Sequence, residues 1–209
     1  MKRTTASTRP LRRKPQQARS VSRVDDILSA ALALVGQKGI AALTMREIAK
    51  SAGMPLASVY QYFPNKSAVI ATLYQSFSEH TREALEEALA DIGGIDDILP
   101  AAGRIVDAYY TRVKATPAVQ DLMNAIQADK ALHNVDIAET REQAERFCAA
   151  TQRLIREKDR QDYARAVYLL FQLAGTTVRL ALMVEPDAGD QIVEDYKRLI
   201  GAQLAPFGG

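Results

Sequence analysis

The chain has 209 residues, room for one large domain or two small ones, and is 47% hydrophobic and 25% charged, an ordinary soluble balance. No apolar run reaches the ~18 residues that cross a bilayer, and the basic N-terminus lacks the apolar stretch of a signal peptide, so a cytoplasmic protein with no membrane partner is expected. Cys148 is the only cysteine, and His80 and His133 lie far apart, which argues against an intramolecular disulfide and against a metal site; no cofactor is expected.

The formal net charge of +2 is unevenly placed. Lys2, Arg3, Arg9, Arg12, Arg13, Lys14, Arg19 and Arg23 give the first 23 residues eight cations and no acid, and the rest of the chain carries 19 basic against 25 acidic residues. Such an arm reads either as a solvated tail or as a handle for a polyanion gripped at one end. Residues 1–20 hold few apolar side chains and are expected to be disordered without a partner.

From Ser22 onward the pattern is helical, and no segment has the alternation of a strand, so the fold class expected is all-α. Val24, Ile27, Leu28, Ala31, Leu34 and Val35 form one apolar face of a first helix over 23–38, which Gly39 can close in the left-handed conformation. Thr44 and Glu47 have capping-box spacing and open a second helix, with Ile48, Ala49 and Ala52 facing inward and Gly53 as its stop. Pro55 suits the first turn of a short third helix to Gln61, and Pro64 ends it. Asn65 can cap a fourth helix to Ile92, about 40 Å long at a rise of about 1.5 Å per residue. Gly93 and Gly94 break it, and further helices are expected near 96–114, 117–129, 136–158, 160–184 and 189–205, with joints at Pro117, Pro186 and Asp187–Gly189.

Two short helices joined by a glycine turn make a helix-turn-helix, whose second helix fits a major groove. Leu56, Ala57 and Ser58 are compact enough to let that helix approach bases. Tyr60 and Tyr62 offer hydroxyls for phosphates and flat rings for sugars or thymine methyl groups. Arg46 and Lys66 add charge at the flanks, and Val59 and Phe63 read as the plugs that hold the helix down. An N-terminal three-helix head followed by a helical body is therefore expected, divided into a basic arm over 1–21, a DNA-binding domain over 22–68 and a helical body over 69–209.

On Thr44-Met45-Arg46-Glu47-Ile48-Ala49, Ala52-Gly53, Val59-Tyr60-Gln61-Tyr62-Phe63 and Asn65-Lys66, the segment Arg23 to Phe77 resembles the N-terminal domain of TetR/AcrR-type bacterial regulators. The resemblance implies phosphate contacts from Thr44, Met45 and Arg46, base reading by Leu56, Ala57 and Ser58, and a backbone grip by Tyr60 and Lys66. Tyr62 stands where many members have histidine. Leu56 and Ala57 cannot make bidentate hydrogen bonds to bases, so readout would rest on apolar contacts, Ser58 and DNA shape. Arg12, Arg13, Lys14 and Arg19 then lie where an arm could enter a minor groove.

The resemblance also implies a homodimer on a pseudo-palindromic double-stranded operator, paired through the last two long helices. Leu173, Gly175, Leu180, Tyr196, Leu199 and Ile200 are the interface candidates, although such stripes also serve as ordinary intrachain core. It implies a transcriptional regulator acting close to the nucleoid, most often a repressor, released by a small and largely apolar effector. Tyr109, Tyr110, Met123, Ile126, Gln127, Phe147, Phe171 and Gln172 are candidates for its pocket, against the plainer reading of aromatic and methionine residues as core filling. Arg179 could meet an anionic effector or form a salt bridge. No nucleophile–base pair, phosphate loop or metal constellation appears, so no enzymatic activity is expected.

Overall fold

The computed structural model describes residues 18–128 and 130–208. These form nine α-helices, α1 (Ala18–Lys38), α2 (Met45–Ser51), α3 (Leu56–Tyr62), α4 (Lys66–Ala90), α5 (Ile98–Ala115), α6 (Pro117–Ala128), α7 (Lys130–Thr151), α8 (Arg160–Ala181) and α9 (Pro186–Leu204), with short 3-10 turns at 95–97, 152–154, 157–159 and 205–207. There is no strand among the described residues. Arg12 and Arg13 lie outside them, and Arg19 falls in the first turn of α1.

The chain divides into two compact units. The first holds Met1–Phe77, as far as it is described, together with Thr116–Asn134; the second holds Ser78–Ala115 and Val135–Gly209. In the first unit α1 packs on α2 and α6, and α2 on α3. Its core is Val24, Ile27, Ala31 and Val35 of α1, Leu43, Met45, Ile48 and Ala49 around α2, Val59 and Phe63, and Ala68, Val69 and Ile70 of α4. The approach of α6 to α1 is close, with the Cβ of Ala118 3.2 Å from where a methyl at Gly36 would sit.

In the second unit α8 packs along α9, and α5 lies against both. Polar ties fix these crossings. The Tyr110 hydroxyl and the Lys114 ammonium both donate to Asp190 Oδ1, at 2.7 and 2.6 Å, joining α5 to the first turns of α9. Arg104 of α5 donates to the Ala88 carbonyl at 3.1 Å, and Arg153 to the Ile92 carbonyl at 2.8 Å, which satisfies acceptors at and beyond the end of α4.

Several helix boundaries depart from the sequence pattern: α1 starts at Ala18 rather than at Arg23, so residues 18–20 are helical where disorder is expected, α8 ends at Ala181 rather than near 184, α9 starts at Pro186 rather than near 189, and α7 differs at both ends. α7 starts at Lys130 rather than near 136, because residues 130–135 contain no glycine or proline to delay it. It ends at Thr151 rather than near 158, because Ile155 turns extended (φ −103°, ψ 135°) between two 3-10 turns and is buried there. The expected single helix is thus traded for the burial of one large aliphatic side chain.

Candidate nucleic-acid interface and effector cavity

The first unit builds a helix-turn-helix from α2 and α3. Thr44 sits in extended backbone and closes the capping box: Glu47 N–H donates to Thr44 Oγ1 at 3.3 Å, and Thr44 N–H donates to Glu47 Oε2 at 3.1 Å. The Thr44 hydroxyl also donates to Glu47 Oε2 at 2.7 Å, and Lys38 forms an ion pair with the same carboxylate. The Lys38 contact first, and the Thr44 bonds next, hold the Glu47 carboxyl below its ordinary value. Gly53, at φ +65°, makes the turn; its N–H donates to Lys50 O at 3.2 Å, and Met54 N–H reaches Ala49 O at 2.9 Å. Gly39, at φ +74°, closes α1 in the same way, its N–H on Val35 O at 2.8 Å.

α3 is held by Val59 and Phe63, both wholly buried. That anchoring leaves Ala57, Tyr60 and Gln61 exposed and Leu56, Ser58 and Tyr62 half-buried on its other sides, with Arg46 exposed on α2. Two of the expected contacts are altered. The Met45 side chain is buried in the core, so only its backbone is left for a phosphate. The Lys66 ammonium donates to the Ile40 carbonyl at 3.2 Å, tying the start of α4 to the turn after α1. Asn65 Oδ1 accepts from Ala68 N–H at 2.9 Å and caps α4. Lys50 and Gln61 are exposed groups on this surface that the sequence reading passed over. Gln61 follows Ala57 by four residues, the spacing of one helix face, and could have been found by that rule.

The eight pocket candidates separate. Met123, Ile126 and Gln127 belong to α6 in the first unit, and Met123 and Ile126 are buried in it. Tyr109, Tyr110, Phe147, Phe171 and Gln172 belong to the second unit. There a narrow apolar cavity of about 40 Å³ is lined by Ile105, Phe147, Leu170, Phe171, Tyr196 and Ile200 among others. Phe147 and Phe171 meet edge to face across it, with ring centres 5.8 Å apart. Tyr110 is spent on Asp190, and Gln172 donates to the Tyr168 hydroxyl at 3.2 Å. Burial pushes the Tyr109 phenol up, Asp136 adding to the effect and Arg179 opposing it. Arg179 itself donates to Thr176 Oγ1 at 3.1 Å. Burial also raises the Cys148 thiol to about 11, with Glu145 adding to the effect, which favours the protonated form near neutral pH.

The interface candidates divide as well. Leu173, Leu180 and Leu199 are exposed, joined by Leu169 and Met183, while Gly175 is half-buried. Tyr196 and Ile200 do not belong to that surface: they turn into the unit's own core, the Tyr196 hydroxyl donating to the Leu170 carbonyl. Their stripe on α9 faces α8, and Leu199 falls outside it.

Residues 27–73 match the family described as bacterial regulatory proteins, tetR family, and residues 96–207 match the tetracyclin repressor-like C-terminal domain. The second match alone covers more than half of the chain. The chain belongs to the TetR family of bacterial regulators. A stretch of 72 residues is 38% identical to the "Probable HTH-type transcriptional regulator YttP" of Bacillus subtilis (strain 168), covering 34% of this chain and about a third, 35%, of that relative's length. A TetR-family transcriptional regulator from Streptomyces coelicolor has the same fold at a TM-score of 0.67 and 27% identity, over 88% of this chain and 99% of that one. The SmeT–triclosan complex superposes at a TM-score of 0.68 with 21% identity, over 90% and 92% of the two chains; SmeT is the repressor of a Stenotrophomonas maltophilia multidrug efflux pump. Among the described residues no helix is long and apolar enough to cross a membrane, and no group of three His, Cys, Asp or Glu side chains could hold a metal ion.

Proposed function

We propose that this TetR-family regulator reads a pseudo-palindromic operator as a homodimer in the cytoplasm and represses transcription until a small, largely apolar effector releases it. The observation that carries the reading is the construction of α3. Two fully buried side chains, Val59 and Phe63, fix the helix, and what remains outside is a compact base-facing edge, Ala57 and Ser58, flanked by Tyr60 and Gln61. Short side chains let the backbone come close to a major groove, and the Gln61 amide can make paired hydrogen bonds to adenine. Arg46 and the Tyr60 hydroxyl grip phosphates, which orient the head without reading sequence. Lys66 joins them if it exchanges the Ile40 carbonyl for a phosphate oxygen.

Dimerisation is supported by the leucines left outside on α8 and α9. Leu169, Leu173 and Leu180 recur at helical spacing on α8, Leu199 lies on α9, and all four are exposed in the single chain. A large exposed apolar patch marks an interaction surface, and two-fold pairing sets two recognition helices on two half-sites. The effector reading is supported by the apolar cavity of the second unit and by the likeness to SmeT, which is seen with triclosan. A footprint of the protein on the DNA upstream of its own gene tests the proposal. Two protected half-sites about one helical turn apart support it; protection spread evenly along the duplex would indicate an architectural binder instead.

A further inference from the structure

A second and larger hollow lies in the same unit, where the turn before α5 meets the end of α9. It is a cleft of about 360 Å³, within the range of small-molecule sites. Ile95, Ile98, Leu99, Ile155 and Phe207 form its walls, and the buried Tyr163 ring closes one side, edge-on to Phe207 with ring centres 5.4 Å apart. Leu204 also lines it, and Leu204 equally lines the narrow inner cavity. One aliphatic side chain is therefore common to the outer cleft and the inner cavity.

The lining itself carries charge of one sign, although the Arg104 guanidinium, held on the Ala88 carbonyl at 3.1 Å, lies close enough to act on the adjacent Asp97 carboxylate. Among the residues that line it only Asp96 is ionisable as a carboxylate, and none is basic. The neighbouring Asp97 carboxylate is occupied, accepting from the N–H groups of Gly93 and Gly94 at 2.9 and 2.8 Å. Asp96 makes no hydrogen bond or ion pair among the described residues. The Arg160 guanidinium is engaged by the carbonyl oxygens of Gln152 and of the lining residue Ile155 at 3.1 and 3.3 Å.

We infer that this cleft is the binding site for an amphiphilic small cation, its head group beside Asp96 and its hydrocarbon chain running past Leu204 toward the inner cavity. The inference deepens the effector reading by giving the effector's place and chemistry, but the binding itself needs no DNA. Apolar walls take the chain, and a carboxylate at the rim favours a positive head and repels a negative one. The inner cavity, at about 40 Å³, has room for little more than a water molecule. A long chain therefore enters it by turning Leu204 aside, whereas a short chain stops in the outer cleft.

The test is calorimetric titration of the full chain with decyltrimethylammonium and with decanoate, both below their micelle concentrations. The expected result is one cation per chain and decanoate weaker by up to about fivefold, the upper end of a single exposed charge interaction, with the gap narrowing in salt. Asp96→Asn should bring the two ligands close to parity. Leu99→Lys, at a position 42% exposed where the fold tolerates a charge, should abolish cation binding. Leu204→Ala should tighten decyltrimethylammonium but leave butyltrimethylammonium unchanged. Equal affinities for the two ten-carbon ligands, or full cation binding by the Leu99→Lys protein, would overturn the inference. Failure of the effector reading has its own signature: the cation binds as described and the protein still holds its operator.

Discussion

Gly189 is the tightest point in the second unit, and replacing it with alanine tests how α8 and α9 are packed. It lies in the first turns of α9, its N–H on the Glu185 carbonyl at 2.9 Å. A methyl group there would stand less than 3.0 Å from the Ala181 carbonyl oxygen, 3.2 Å from its carbonyl carbon and 3.4 Å from the Tyr110 hydroxyl. Optimal separations are about 3.5–4.0 Å between carbons, and the obstacle is the backbone at the end of α8, which cannot rotate away. Relief requires α9 to shift, which strains the Tyr110–Asp190–Lys114 tie beside it. Overpacking of this kind costs about 1–3 kcal/mol, against a gain of about 0.8–1.0 kcal/mol from alanine's helix propensity. Because the obstacle is backbone, the upper part of that range applies, about 2–3 kcal/mol, and the net expectation is a loss of about 1–2 kcal/mol, a fall in Tm of several degrees at about 2–4 °C per kcal/mol. Gly103→Ala is the internal control. It lies within α5, where the nearest atom to an added methyl is Lys197 Cδ at an ordinary 3.9 Å, so the propensity gain should appear as a higher Tm. Thermal unfolding followed by circular dichroism reads both. A Gly189→Ala protein as stable as the parent would refute the close crossing.

Four further outcomes concern the head and the arm that precedes it. Thr44→Ala removes the capping box and should cost about 1 kcal/mol of stability. Because the folded Glu47 carboxyl lies below its ordinary value of 4.5, its contribution is complete above that value and is lost as pH falls through the lower folded value; acid titration of the Lys38→Met protein should show a shallower decline there. Arg46→Ala and Tyr60→Ala should each weaken specific and non-specific DNA together, while Ser58→Ala should change preference at one or two base pairs; a changed preference at constant overall affinity for Arg46→Ala would contradict its phosphate role. Deleting residues 1–20 should weaken binding to every duplex and flatten its salt dependence, and an unchanged slope would remove the arm from the interface.

The head was legible because its signals are local. Thr44 and Glu47 cap one helix within four residues, and Gly39 and Gly53 take the left-handed conformation that their places as helix stops required. Val59 and Phe63 are buried as the apolar plugs of α3. The body was less legible because helical periodicity gives an apolar face but not the partner it meets. α6 carries an apolar face, Val119, Leu122, Met123 and Ile126, and nothing local says that it packs on α1. On α9 the apolar residues span too wide an arc for one contact. Val193, Tyr196, Ile200 and Leu204 turn inward and Leu199 does not, a division set by where α8 lies. The break after Thr151 escaped notice for the same reason, since Ile155 leaves helical geometry to reach a core built from distant segments. Met45 and Lys66 show the limit within the head itself: their positions in the motif were evident, but the burial of one and the Ile40 tie of the other depend on the packed fold.

The central claim is sequence-specific recognition by a dimer, and one titration addresses it most directly. Fluorescence anisotropy of the DNA upstream of the protein's own gene, beside a scrambled duplex of equal length at two salt concentrations, gives affinity, specificity and stoichiometry together. Tighter binding to the natural sequence with two chains per site, and a preference that survives added salt, is the predicted result. Folded, effector-free protein that binds neither duplex at low salt would contradict the account.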